Sequence, residues 1–283
     1  MKAERITDSV AYHGEGPVWY PDWGGLKWLD MLAGDVLGLL ANGEVTRWRT
    51  GNPVVAAIRP RTAGGMVLGV EQGFALTDTS SEIEMLPPLW PQGKLRMNEG
   101  ACDPEGNFWC GSMAYDREEG AASLWRLRPD GETQEMLTGL TISNGLQWSA
   151  DGQTAFYNDT ETYTVSAFDW DPEDGLTNRR VFTDLSDEML RPDGLTLDAE
   201  GGVWIGLSNG SAVRRYDAAG KLSAVIDLPV TKVTACTFGG EKLNHLFITT
   251  SREGLEDGQE PAAGSLFMAD PGVTGLPVLA YKG

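Results

Sequence analysis

The stretch NGLQWSADGQTAFYND, residues 144–159, contains a pattern that recurs along the chain. A polar residue is followed by glycine, a short apolar segment, a turn, and a strand with an aromatic or β-branched anchor. The polar–glycine pairs are Glu15-Gly16, Glu99-Gly100, Asn144-Gly145 and Asp193-Gly194. The anchors of the strands that follow are Trp28, Trp109, Tyr157 and Trp204, with weaker copies at Leu68 and Ile248 that lack the polar–glycine start.

These six copies predict the fold. Successive anchors are between 40 and 48 residues apart, and a repeat of this length that is rich in short strands is typical of a β-propeller. Each repeat has room for four strands separated by turns. We therefore predict an all-β, six-bladed β-propeller with four strands per blade, which occupies residues 1–283 as one domain.

A propeller must close its ring, because the first and last blades would otherwise leave exposed sheet edges. We expect the N-terminal segment Glu4–Val10 to pair with the last blade near Leu276–Tyr281. Residues Glu253–Ala263 are polar and contain glycine and proline, which indicates a surface loop.

The bulk composition excludes some partners. The 283 residues include 41 acidic and 22 basic side chains, and the formal charge of −19 disfavours binding to nucleic acid or to an anionic membrane surface. Three cysteines without a CxxC motif do not indicate a disulfide framework. The N-terminal sequence beginning Met1–Arg5 has no apolar stretch typical of a signal peptide, and no segment is apolar for about 18 residues, so we expect a cytoplasmic protein. The composition leaves the oligomeric state open.

The phase of the repeat predicts where chemistry is concentrated. Glu15 and Asn144 both lie 13 residues before their anchors, and Asp193 lies 11 before its anchor. Equivalent positions in propeller blades surround one axis, so these side chains are expected to converge at one end of the channel. Carboxylate and amide oxygens suit a hard divalent cation. The alternative is that each pair is a structural turn dipeptide.

Several motifs resemble those of the regucalcin/gluconolactonase (senescence marker protein) family. The chain contains them in family order: Gly14-Glu15-Gly16-Pro17-Val18-Trp19, Arg96-Met97-Asn98-Glu99-Gly100, Ile142-Ser143-Asn144-Gly145-Leu146, Phe156-Tyr157-Asn158-Asp159-Thr160, Pro192-Asp193-Gly194-Leu195 and Cys236-Thr237-Phe238-Gly239-Gly240. The resemblance implies a six-bladed propeller that hydrolyses a sugar lactone, such as a glucono- or xylonolactone. It implies one divalent metal held by Glu15, Asn144 and Asp193, with Ca²⁺, Zn²⁺, Mn²⁺, Mg²⁺ and Fe²⁺ all open.

The same resemblance implies a substrate-binding set. Arg96 and Asn98 would hold substrate hydroxyls, assisted by Asp116, where a glutamate is common in the family. Tyr115 and Trp148 are candidates to line the channel mouth.

For the chemistry, Asp193 is the first candidate for the general base that takes a proton from water. A hydroxide generated at the metal and Glu99 are the alternatives. His13 is expected to be a strand-end residue beside the site, and two histidines in all exclude a three-histidine zinc site. Two other functions stay open, a phosphotriesterase-like hydrolase and a Ca²⁺-binding propeller without turnover.

Overall fold

The computed structural model describes residues 1–283 and contains six four-stranded antiparallel sheets, as predicted. The blades follow one another along the chain, except that the sixth takes its outermost strand from the N-terminus. The strands of the first three blades are β2 (Gly14–Tyr20), β3 (Gly25–Asp30), β4 (Asp35–Leu39) and β5 (Val45–Arg49); β6 (Val55–Pro60), β7 (Met66–Val70), β8 (Gly73–Thr77) and β9 (Ile83–Met85); and β10 (Leu95–Cys102), β11 (Phe108–Ala114), β12 (Ala122–Leu127) and β13 (Thr133–Leu140). The others are β14 (Ser143–Trp148), β15 (Thr154–Asp159), β16 (Thr164–Asp171) and β17 (Gly175–Asp184); β18 (Pro192–Leu197), β19 (Val203–Leu207), β20 (Ala212–Tyr216) and β21 (Leu222–Asp227); and β22 (Val233–Gly239), β23 (His245–Thr250), β24 (Phe267–Ala269) and β1 (Glu4–Arg5).

Helical structure is limited to four short 3₁₀ turns, at Pro21–Trp23, Met31–Ala33, Thr160–Thr162 and Ser186–Glu188. No helix has the length and apolar character needed to cross a membrane.

The first strand of each blade is innermost. These six strands contact one another in order around the axis, and β2 packs against β22 to complete the ring. The six anchors of the repeat all lie on the second strands and are almost completely buried. The anchors therefore pack in the cores between blades. The polar–glycine pairs, which precede the anchors in sequence, lie on the innermost strands around the axis.

Two of these anchors are held by a buried aspartate in the turn before the second strand. Asp103 accepts hydrogen bonds from Trp109 Nε1 at 2.8 Å and from the backbone N–H of Asn107 at 2.9 Å. Asp198 accepts the equivalent bonds from Trp204 Nε1 and the backbone N–H of Gly202, both at 2.8 Å. Each aspartate thus fixes both its turn and the indole of the following strand.

The ring closes through the N-terminus, but at a different place from the one expected. β1 pairs with β24, and Ile6 donates a backbone hydrogen bond to Leu266 at 2.9 Å. The prediction that Leu276–Tyr281 would supply the partner strand was wrong. Those residues instead cross one end of the propeller axis, where Gly275 and Tyr281 donate backbone hydrogen bonds to Leu243 and Pro60. Phe267–Ala269 already completes the edge of β23, so the terminal residues are free to leave the blade.

The polar–glycine pairs lie within innermost strands rather than in turns. Each innermost strand has a register irregularity at this level, for example between Asn144 and Leu146. A Cβ on Gly145 would lie 2.6 Å from the carbonyl oxygen of Asp193 and one on Gly194 would lie 2.4 Å from Ala235 Cβ. Glycine is required because neighbouring strands approach closely around the axis.

The three cysteines are free and buried. Burial raises the pKa of all three thiols, which keeps them protonated and unreactive.

Candidate functional site

A cavity of about 260 Å³ opens at one end of the propeller axis. Only four of its eighteen lining residues are hydrophobic, so it suits a polar, hydroxylated molecule better than an apolar one. Its acidic and basic side chains are Glu15, Arg96, Arg117, Glu161, Arg191, Asp193, Lys232 and Glu253.

The structure brings Glu15, Asn144 and Asp193 together in this cavity. They come from the innermost strands β2, β14 and β18, and their side chains are buried. The amide nitrogen of Asn144 donates to Asp193 Oδ1 at 2.5 Å and to Thr160 Oγ1 at 3.0 Å. Glu15 accepts a hydrogen bond from the backbone N–H of Gly16 at 3.0 Å. Three blades thus contribute one oxygen-bearing side chain each to one small volume.

Two of these strands are positioned by a repeated contact. Asp30, at the end of β3, accepts the backbone N–H groups of Tyr12 and His13 at 2.9 and 3.0 Å. Asp159, at the end of β15, accepts those of Thr141 and Ile142 at 2.8 and 2.9 Å. Each aspartate anchors the chain just before an innermost strand and so orients Glu15 or Asn144.

Burial dominates the electrostatics of the site. It raises the pKa of Glu15 well above its ordinary value, and the charges of Asp193 and Glu99 raise it further. The pKa of Asp193 is also raised, by burial first and then by Glu99. Adjacent buried carboxylates are unfavourable unless protons or a cation compensate their charge.

The donor set fits a divalent cation. Two carboxylates and one amide oxygen are hard ligands, and three side chains leave positions for water or substrate. The amide of Asn144 presents nitrogen to Asp193, so holding a cation requires the amide to turn over and present Oδ1. The hydroxyl of Thr160, which donates to the carbonyl oxygen of Pro192 at 2.9 Å, would then have to redirect its proton to Oδ1 of Asn144.

Arg96 and Asn98 form a fixed pair on β10 beside these groups. Arg96 donates to Asn98 Oδ1 at 2.9 Å, and Asn98 donates to the carbonyl oxygen of Ser143 at 2.9 Å. Both residues line the cavity and are more than nine-tenths buried. Their orientation is therefore set before any substrate binds.

Asp116 does not line the cavity. It lies exposed in the turn after β11, where its carboxylate accepts the backbone N–H of Glu118 at 3.2 Å. The turn directs Asp116 away from the axis and brings its neighbours Tyr115 and Arg117 to the cavity instead. Tyr115, an expected channel-mouth residue, donates to Glu71 at 2.7 Å.

The rim of the cavity contains two ion pairs that no sequence motif indicates. Arg191 pairs with Glu161 at 3.3 Å, and Lys232 pairs with Glu253 at 3.3 Å. Arg191 could have been noticed because it lies two residues before Asp193. Glu253 begins the predicted surface loop, which therefore supplies part of the cavity wall.

His13 lies at the edge of the site, close to its expected position. Its Nδ1 is 2.7 Å from Ser251 Oγ, and its Nε2 is 4.0 Å from Glu15 Oε1. Burial lowers the pKa of His13 to about 4, so the ring is neutral near pH 7.

Together these observations define a six-bladed propeller with an axial cavity that contains converging carboxylates and fixed hydrogen-bond donors. Residues 13–252 match the family model described as SMP-30/Gluconolactonase/LRE-like region. The chain belongs to this family.

Relatives of the family match the chain over nearly its whole length. A regucalcin of Sus scrofa is 33% identical over 296 residues, which cover 100% of this chain and 99% of that protein. The crystal structure of a calcium-binding protein, regucalcin, from Agrobacterium tumefaciens has a TM-score of 0.93 at 26% identity and covers 100% of this chain and 98% of its own. The structure of a gluconolactonase from Xanthomonas campestris has a TM-score of 0.75 at 25% identity, with 93% of this chain and 87% of that one covered.

Proposed function

We propose that this protein hydrolyses a sugar lactone to the aldonic acid and depends on one divalent metal ion. The observation that carries the proposal is the convergence of Glu15, Asn144 and Asp193 beside the fixed Arg96–Asn98 pair in one polar cavity. The gluconolactonase and calcium-binding regucalcin among its relatives support the same reaction class and the metal.

Glu15, Asn144 and Asp193 would hold the metal, which in the bound state supplies Lewis acidity to the lactone carbonyl. Arg96 and Asn98 orient the ring through its hydroxyl groups, since Arg96 offers charged donors and Asn98 offers both a donor and an acceptor. Their mutual hydrogen bond limits the orientations that a substrate can adopt, which lowers the entropic cost of reaching the reactive geometry.

Asp193 is the proposed general base. It takes a proton from the attacking water. Burial raises the pKa of Asp193 in the absence of a cation, and a bound cation would offset this effect and keep the carboxylate ionised, as a general base must be. Glu99 is a weaker candidate for this role, because it is not among the residues that line this cavity.

The polar lining favours a lactone over a phosphotriester, for which an apolar pocket is expected. A propeller that only binds a cation would not need the fixed Arg96–Asn98 pair beside the proposed metal ligands.

The test is a pH-indicator assay of acid release from a panel of aldonolactones. Asp193→Asn is expected to lower kcat by about 10³-fold, and chelation is expected to abolish turnover that added Ca²⁺, Zn²⁺ or Mn²⁺ restores. Asp217→Asn, at a half-buried turn aspartate outside the cavity, is the control. Absence of acid release from every lactone, or full activity of Asp193→Asn, would contradict the proposal.

A further inference from the structure

A second cavity, of about 210 Å³, is formed by the opposite halves of the innermost strands. In four strands, the residues that line the first cavity precede those that line the second, and the change falls at the register irregularity. These later residues are 16–19 of β2, 147–148 of β14, 195–197 of β18 and 235–238 of β22. Because the strands stand side by side around the axis, the two cavities lie at its opposite ends.

Three residues that line the second cavity have buried polar atoms without a hydrogen-bond partner. The atoms are Arg59 Nε, Trp148 Nε1 and Glu99 Oε2. All three residues are more than nine-tenths buried, and Arg59 uses its guanidinium to donate to the carbonyl oxygen of Ile58 at 2.7 Å. Unpaired buried polar groups are costly. These atoms are enclosed in the structure, so the two N–H donors and the carboxylate oxygen become available to a ligand when the side chains turn towards the cavity.

The remaining lining is mainly apolar. Twelve of its twenty-one residues are hydrophobic, including Trp19 and Phe238. Trp19 stacks on Phe247 with ring centroids 5.8 Å apart, which fixes the indole at the cavity wall. The polar groups of Arg59 and Glu99 thus stand beside an apolar compartment.

The C-terminal residues 276–279 border the cavity on its outer side. Gly275 and Tyr281 are anchored to Leu243 and Pro60 by backbone hydrogen bonds of 2.8 Å, whereas residues 276–280 make none. Leu276 and Val278 pack against the blade cores, so side-chain contacts hold the middle of this segment as the outer wall of the cavity.

We propose that the second cavity binds a small 2-amino or 2-hydroxy carboxylate with an apolar side chain. The carboxylate accepts hydrogen bonds from Arg59 and Trp148, and the neighbouring amino or hydroxyl group donates to Glu99. The apolar side chain packs against Trp19, Phe238 and the C-terminal segment. A zwitterion suits this site because it pairs one buried positive charge and one buried negative charge without adding net charge.

Isothermal titration calorimetry with L-leucine, L-phenylalanine, their 2-hydroxy analogues and 4-methylpentanoate tests the site. Both substituted classes are expected to bind, and 4-methylpentanoate is expected to bind at least tenfold more weakly. Arg59→Met should weaken every ligand at least tenfold. Glu99→Gln should weaken the amino acids similarly but leave the 2-hydroxy acids within about threefold, since an amide oxygen still accepts from a hydroxyl group.

Thr237→Trp, which fills the cavity without changing its charges, is the independent variant and should abolish binding. Arg252→Met and Glu105→Gln are matched controls at exposed positions outside the cavity. The proposal is overturned if no acid binds at millimolar concentration, which would mean that ordered water satisfies these atoms. Binding that survives both Arg59→Met and Thr237→Trp would also overturn it, because the ligand would then lie elsewhere.

Discussion

Glu99 is a buried carboxyl group on the propeller axis, and the free-energy cost of ionising it can be tested. Burial raises the pKa of its carboxyl group from 4.5 to about 7, against the opposing effect of Arg59. The folded state therefore holds this proton more tightly than the unfolded state. Glu99 stabilises the fold below about pH 4.5, and this contribution is lost as the pH rises through about 7.

The size of the effect follows from the shift. The difference between 7 and 4.5 is 2.5 pKa units, which corresponds to about 3 kcal/mol of unfolding free energy. Glutamine resembles the protonated carboxyl group in shape but cannot ionise. Glu99→Gln should therefore gain about 3 kcal/mol relative to the parent between about pH 4 and pH 8.

His13 acts in the opposite direction in the parent protein. Its folded-state pKa of about 4 lies below the ordinary 6.5, so His13 favours folding increasingly as the pH rises through this interval. The two contributions oppose each other in the overall pH profile of the parent. The quantity to measure is therefore the difference between variant and parent at each pH.

Urea unfolding followed by circular dichroism, with chelator present throughout, gives this difference. Glu105→Gln changes an exposed carboxylate of the same blade and is the matched control, with a difference expected to stay within about 0.5 kcal/mol at every pH. A Glu99→Gln difference that is independent of pH would refute the assignment of a raised pKa to this carboxyl group.

Two further predictions concern Asp103 and the loop after β11. Asp103→Ala should lower the free energy of unfolding in urea by about 3–5 kcal/mol, because Trp109 Nε1 and the backbone N–H of Asn107 lose their buried acceptor. Asp130→Ala, in an exposed turn, is the control and should lower it by under about 1 kcal/mol. With the lactone that is hydrolysed fastest, Asp116→Ala should leave kcat/KM within about twofold of the parent value. Arg117→Ala should lower kcat/KM about tenfold, because the cavity loses a charged hydrogen-bond donor. Equal effects of the two substitutions would contradict the assignment of Arg117, rather than Asp116, to the cavity.

The repeat predicted the blades because each copy contains a local signal. A buried anchor such as Tyr157 or Trp204 lies on the second strand, and the preceding Gly145 or Gly194 allows two innermost strands to approach. Glycine and anchor are only 12 and 10 residues apart in these two copies. The path of residues 276–281 was predicted wrongly because it depends on contacts with Leu243 and Pro60, which are remote in sequence.

The ion pairs at the rim of the first cavity could not be predicted from the sequence for a similar reason. Arg191 pairs with Glu161 of the preceding blade, and Lys232 pairs with Glu253 within the sixth blade. The partners are 30 and 21 residues apart in sequence, so each pair depends on how the strands pack. Asp116 is the one predicted substrate-binding residue that the cavity lining does not include. In the turn after β11 the neighbouring Arg117 has a φ of 58°, and this local geometry turns Asp116 towards solvent while its neighbours line the cavity. Motif matching could not resolve a conformation of that kind.

The position of each residue relative to its anchor also explains why Asn98 lines the first cavity and Glu99 lines the second, at the other end of the axis. Asn98 lies 11 residues before Trp109, the same offset that separates Asp193 from Trp204, and both residues line the first cavity. Glu99 lies one position later and lines the second cavity. Successive side chains of a strand point in opposite directions, and the register irregularity between Met97 and Gly100 falls at this point. The asparagine, rather than the adjacent carboxylate, is therefore the residue of this blade that faces the proposed metal ligands. Glu99 instead influences those ligands through its charge, which raises the pKa values of Glu15 and Asp193.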